Sequence, residues 1–178
     1  MIPPSDKRLF LALPVDLAIA STLLDTARVC CADADKKLYA AQDLHLTIKF
    51  FGAVATTKIE QLKQHIKMAT NQVSSFSVEL KKLSFFSGRH HCVMIALSRL
   101  SLPLATLYRE INISIQSCGY SVEQKVFRPH VTLLRDAKGM SLIRDEIDVS
   151  FNVEELVLYE SLKSQDQRFR VVERFALG

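Results

Sequence analysis

Apolar and polar positions alternate with two different periods along this chain. The stretch RLFLALPV at 8–15 is unbroken apolar after Arg8 until Pro14, which predicts a short buried strand. Leu17, Ala20, Leu24 and Ala27 then recur at helical spacing behind the acidic Asp16, predicting a helix over 16–31. Strict alternation returns in DLHLTIKFFG at 43–52, a predicted strand that leaves into a turn at Gly52. Thr57 precedes Glu60 by three residues, the spacing of a capping box, at the head of a predicted helix carrying Ile59, Leu62, Ile66, Met68 and Ala69.

The second half repeats this order loosely. FSVELKKLSFF at 76–86 and HCVMIALS at 91–98 are β-like, and SGRH between them, with Gly88, predicts a hairpin. Pro103 near a helix start, Leu104, Leu107, Ile111 and Ile115 at helical spacing, and Gly119 at the stop predict a third helix. The remainder reads as strands at 131–134, 154–162 and 169–177. No linker rich in Pro, Gly or Ser divides the 178 residues, which allow one compact domain or two closely packed halves, and the element order suggests a loose duplication.

Composition changes this picture little. Apolar residues make up 48% and charged residues 24%, ordinary values for a folded domain. The formal net charge of +4 is spread over short groups such as Lys36 and Lys37 or Lys81 and Lys82, which favours solvated lysines over a continuous polyanion track. No apolar window is long enough to span a membrane, and the N-terminus lacks a signal-like core, so no membrane partner and a cytoplasmic location are expected. Cys30, Cys31, Cys92 and Cys118 form no CxxC pair and are expected to be reduced.

The chemistry concentrates in one repeated pattern. LHLTIKF contains His45 and Thr47, and RPHVTLLR contains His130 and Thr132, 85 residues further on. Random placement of five histidines and eight threonines gives about 0.2 such matches, so two in similar apolar contexts point to function. On a strand, residues two apart share a face, so each histidine neighbours its threonine while Leu46, Val131 and Leu133 turn to the core. Two imidazoles facing one ligand suit acid–base work on a phosphodiester, because a pKa near 6.5 lets one ring accept a proton while the other donates one. An acid and a base on opposite sides of one phosphorus also match in-line displacement, and the hydroxyls could bind the non-bridging oxygens.

Other chemistries find less support. GxSxG, HExxH, paired-cysteine ligands and a Gly-rich phosphate loop are all missing, so neither a metal nor another cofactor is expected. His90, His91 and Cys92 are adjacent, and neighbouring strand residues point to opposite faces. His65 falls among Lys63, Gln64 and Lys67 on a solvated helix face.

With their surroundings these motifs resemble the 2H phosphoesterase superfamily, and within it the bacterial RNA 2′,3′-cyclic phosphodiesterases, also called 2′–5′ RNA ligases. The resemblance spans RLFLALPVD, DLHLTIKFFG, FRPHVTLLRDA, LVLYES and the terminal RFAL. It implies a single bilobal α+β domain over 1–178, with two pseudo-symmetric lobes, each an antiparallel β-sheet with helices on its outer face, enclosing a central cleft. It also implies His45 as proton donor and His130 as proton acceptor in opening a terminal RNA 2′,3′-cyclic phosphate to a 2′-phosphate, with 2′–5′ ligation as the reverse reaction. Thr47, Thr132 and Arg135 are expected on the phosphate, Arg135 because close relatives carry a basic residue there. Arg128 is a weaker candidate, and Phe51 and Phe127 are expected to serve packing more than base stacking. The implied partners are RNAs with 2′,3′-cyclic phosphate ends, tRNA fragments among the candidates, met by a monomer. The chain departs from the family pattern in SLKSQDQRF at 161–169, which leaves substrate choice open. Another cyclic or 2′–5′ linked nucleotide as substrate, or an RNA-binding module with little turnover, are the alternative functions.

Overall fold

In a computed structural model the described residues are 6–31, 38–87, 92–122, 126–162 and 167–178. Among the described residues eight strands and three α-helices follow in the order β1 (Lys7–Pro14), α1 (Leu17–Cys30), β2 (His45–Val54), α2 (Ile59–Thr70), β3 (Phe76–Ser87), β4 (Cys92–Ser98), α3 (Leu102–Gln116), β5 (His130–Arg135), β6 (Glu146–Val153), β7 (Glu155–Ser161) and β8 (Phe169–Ala176). The strands form one sheet in the order β6-β3-β4-β5-β2-β1-β7-β8, with every pairing antiparallel.

That order is symmetric about its centre. Outward from the joint, β5, β4, β3 and β6 on one side answer β2, β1, β7 and β8 on the other, and β4–α3–β5 answers β1–α1–β2. At the joint β2 pairs with β5 through Leu46 opposite Val131, where the two His-x-Thr strands start. Beyond it β5 continues against Leu38 and Tyr39, whose backbone bonds to Leu133 and bridges to Leu134.

One sheet face carries the helices. Leu9, Leu11, Leu13, Leu46, Val131, Leu133, Met94 and Leu80 are buried there in a single apolar cluster with Leu23 and Leu24 of α1, Leu62 and Ile66 of α2, and Leu107 and Ile111 of α3. At roughly 25 cal/mol per Å² of apolar surface removed from water, this cluster supplies the main stabilising contribution to the fold.

Local signals act as the sequence implies at two helix ends. Asp16 accepts from the backbone N–H groups of Ala18 (2.8 Å) and Ile19 (3.4 Å) and caps α1. Gly119, at φ +83°, closes α3 in a Schellman arrangement, with its N–H on the Gln116 carbonyl and that of Tyr120 on the Ile115 carbonyl.

Three details differ from the sequence reading. The chain enters α2 through a 3-10 turn at Thr56–Lys58, and Lys58 at the helix start makes no side-chain cap, so the Thr57–Glu60 spacing does not build a capping box. Strand β2 does not stop at Gly52 but runs on to Val54, because Gly52, at φ +70°, lets it bulge against β1 without breaking the ladder. Strand β6 pairs with β3 and buries Ile147, Phe151 and Val153, although its alternation was visible in EIDVSFNV. The hairpin of β3 and β4 forms, while Gly88, His90 and His91 lie outside the described residues.

Candidate active site

The face opposite the helices holds the chemistry. His45 and Thr47 of β2 and His130 and Thr132 of β5 line one cleft of about 430 Å³, together with Arg8, Phe10, Tyr39, Phe50, Arg135 and Phe169. The joint at Leu46 and Val131 explains the convergence, since antiparallel pairing of these core-facing residues sets His45 across from Thr132 and His130 across from Thr47 on the other face.

Each ring is held the same way. His45 Nδ1–H donates to the Asp43 carbonyl and His130 Nδ1–H to the Arg128 carbonyl, both at 2.7 Å. A carbonyl oxygen can only accept, so in the neutral ring Nδ1 carries the proton and Nε2 presents its lone pair. Aromatic walls complete the fit. His45 meets Phe169 edge-on at 5.2 Å and Phe10 at 5.0 Å, and His130 meets Phe86 edge-on at 4.8 Å.

These surroundings disfavour the charged imidazolium. Burial, followed by the charges of His130 and Arg135, lowers the His45 pKa to about 4 against the hydrogen bond to Asp43. Burial also lowers that of His130, and the Arg128 charge adds to the effect. A bound anion would act in the opposite direction on both rings.

Arg135 reaches the cleft through a departure from strand periodicity. Between β4 and β5, Ile95 faces Thr132 and Met94 faces Leu134, leaving Leu133 as an extra residue. Leu133 and Leu134 are both buried, and Arg135 returns to the face of His130 and Thr132. Strand β2 does the same against β1, with Ile48 as the extra residue, Lys49 turned to the core side, and Phe50 back on the cleft face. Lys49 donates there to the Ser121 carbonyl at 2.9 Å.

Sequence reasoning passed over several neighbours. Arg168 lies 4.4 Å over the Tyr39 ring, and Arg135 lies 5.7 Å from its centre. Arg168 also sits 4.0 Å from Asp43, whose carbonyl orients His45. Burial raises the Tyr39 pKa, and both guanidinium charges oppose this. The divergent stretch at 161–169 therefore borders the cleft at both ends, through Ser161 and through Arg168 and Phe169, while 163–166 lie outside the described residues. Phe50, 64% exposed on the cleft rim, is a further one, and an exposed aromatic next to a motif was the signal that could have found it.

Other singled-out residues lie elsewhere. Phe51 packs edge-on against Tyr120, and Phe127 stacks on Tyr108 with ring centres 4.1 Å apart. Arg128 projects over Phe86 at 4.7 Å, on the outer side of His130. His65 binds the Ser117 hydroxyl at the α2–α3 contact. Among the described residues no cluster of three or more His, Cys, Asp or Glu could hold a metal, and no helix is long and apolar enough to cross a membrane.

Residues 14–165 match the model of the 2′-5′ RNA ligase superfamily. The chain belongs to this superfamily. Within the 2′-5′ RNA ligase superfamily it is 22% identical, over 99% of its own length and all of the relative's, to a Bacillus subtilis (strain 168) protein named RNA 2′,3′-cyclic phosphodiesterase. An Escherichia coli (strain K12) protein of the same name is 24% identical over 96% of this chain and 97% of its own. Among solved structures, E. coli LigT complexed with 3′-AMP superposes with a TM-score of 0.80 at 23% identity, covering 97% of this chain and 98% of that one. A Thermus thermophilus protein, TT0787, superposes at 0.78 with 19% identity over 96% and 97%. These two likenesses establish the shared α+β superfamily fold.

Proposed function

We propose that this superfamily member hydrolyses terminal RNA 2′,3′-cyclic phosphates to 2′-phosphates by acid–base catalysis between two histidines. The observation that carries the reading is the meeting of His45 and His130 in one cleft, each with a fixed tautomer and a threonine beside it. The shared name of the B. subtilis and E. coli relatives supports the substrate class.

In the proposed reaction the cyclic phosphate lies between the rings. His130 Nε2 takes a proton from water, the water oxygen attacks phosphorus, the bond to the 3′-oxygen breaks, and His45 Nε2 protonates that oxygen. The 2′-phosphate remains on the product, and the histidines exchange protons with solvent before the next turnover. Thr47 and Thr132 hydroxyls donate to the non-bridging oxygens, and Arg135 adds positive charge. His45 must enter this reaction protonated. Phosphate binding favours that, because the anion offsets the Arg135 charge that helps depress the His45 pKa.

The test is hydrolysis of an oligonucleotide ending in a 2′,3′-cyclic phosphate, in excess EDTA, with the product phosphate assigned by phosphorus NMR. A 2′-phosphate is expected. A 3′-phosphate would reverse the assignment of the departing oxygen, and no product would remove the proposed activity.

A further inference from the structure

Arg168 belongs to the stretch at 161–169 that departs from the family pattern, and the proposed hydrolysis gives it no role. Its neighbours fix its place beside the cleft. Phe169, the next residue, meets the His45 ring edge-on at 5.2 Å. The Arg168 guanidinium lies 4.4 Å over the Tyr39 ring, and that of Arg135 stands 5.7 Å from the same ring. Arg168 also sits 4.0 Å from the carboxylate of Asp43, whose backbone carbonyl holds His45. It is therefore on the His45 side of the cleft, close to the cation assigned to the reacting phosphate.

That side is where the RNA strand runs. If His45 protonates the departing 3′-oxygen, the terminal ribose lies on the side of His45, away from His130, where water enters. The next phosphate of the strand is one ribose further on. Tyr39 gives a cation there a fixed seat, because its ring is buried and its N–H donates to the Leu133 carbonyl at 2.8 Å. The pair with Asp43 is loose, and the Arg168 side chain is half exposed. A guanidinium has five N–H donors, so it can serve that carboxylate and a phosphate together and screen one from the other.

We infer that Arg168, seated on Tyr39, binds the internucleotide phosphate on the 5′ side of the terminal nucleoside and so selects RNA strands over cyclic mononucleotides. The inference rests on the proposed roles of the two histidines. Arg135 and Arg168 then divide two successive phosphates between them, one that reacts and one that is only held. A cyclic mononucleotide carries the first and lacks the second.

The test gives the whole chain adenosine 2′,3′-cyclic phosphate, the adenylyl-adenosine dinucleotide ending in the same cyclic phosphate, and that dinucleotide with a neutral methylphosphonate linkage. The quantity read is kcat/KM for each dinucleotide relative to the mononucleotide. The parent chain should prefer the charged dinucleotide by about tenfold, the scale of one charge-assisted hydrogen bond, and lose that preference with the methylphosphonate. Arg168→Gln should lose it as well, and Arg168→Lys should keep part of it. In Arg168→Gln the methylphosphonate should change nothing further, because both changes remove one contact. Equal rates for the charged and neutral dinucleotides in the parent chain would overturn the subsite, and that arm needs no variant to fold. A preference that survives Arg168→Gln, or that is lost only in Arg8→Gln, another cation lining the cleft, would overturn it too. So would an equal loss on mononucleotide and dinucleotide, which would place the effect of Arg168 on Asp43 and His45. In all of these the cyclic mononucleotide is still hydrolysed by the parent chain, whereas failure on every substrate would overturn the reaction itself.

Discussion

Arg135 and Phe50 occupy equivalent places in the two halves of the sheet, each three residues past its motif threonine and just beyond a bulge that turns it back to the cleft. One half thus contributes a cation at this place and the other an aromatic ring. The near-symmetric scaffold carries an asymmetric cleft, as a reaction with distinct attacking and departing groups requires.

For Arg135 this gives two linked expectations. Arg135→Gln should lower kcat/KM on a cyclic-phosphate RNA by about 10- to 100-fold, the scale of one charge-assisted hydrogen bond of roughly 1.5–3 kcal/mol. The same change should raise the pKa of His45 in the free protein, since the Arg135 charge now helps lower it. Proton NMR titration of the imidazoles checks the second. Lower activity without a shift at His45 would place Arg135 on the RNA but away from the histidine.

His45→Ala and His130→Ala should each reduce turnover by roughly 10²- to 10⁴-fold, the usual contribution of a positioned acid or base. Leu46 and Val131 lie behind the rings, so circular dichroism should remain native in both variants. Retention of full turnover by either would exclude that ring from proton transfer.

The pH profile follows from the directions of the shifts. Both histidine pKa values are lowered below 6.5 in the free protein. The productive form has one ring charged and one neutral, so its population falls about tenfold per pH unit above the higher of the two. Steady-state kinetics should therefore show kcat/KM rising as pH is lowered from 8 toward 6. A profile flat across that window would contradict the lowered values.

Stability should follow pH through the same ring. Because the folded-state pKa of His45 is lowered to about 4, the unfolded chain binds more protons between pH 6.5 and 4, and stability falls as pH drops through that window. The full difference is on the order of 3 kcal/mol, from about 1.4 kcal/mol per pKa unit. Urea titrations should show His45→Gln losing less stability than the parent chain between pH 6.5 and 4. Equal losses would mean that His45 is not the group responsible.

Leu46 is fully buried at the place where the halves join. Leu46→Ala should destabilise the fold by about 2–5 kcal/mol through the cavity it leaves. Calorimetry measures this directly, and a loss below about 1 kcal/mol would show that the joint is held by the rest of the core.

Features written at short range are legible in the amino-acid order alone. The period of two in LHLTI and HVTL puts each histidine beside its threonine and Leu46, Val131 and Leu133 in the core. Asp16 and Gly119 mark helix ends because caps depend on a few adjacent residues. Tertiary structure decided what depends on a partner strand. Strict alternation would turn Arg135 away from His130, and only the register of β4 against β5 shows the extra residue at Leu133 that brings it back. Likewise Phe169 meets the His45 ring and Arg168 lies over the Tyr39 ring across long stretches of chain. A side chain's face is set locally by backbone geometry, but bulges and neighbours are set by pairing with distant segments, which no local periodicity encodes.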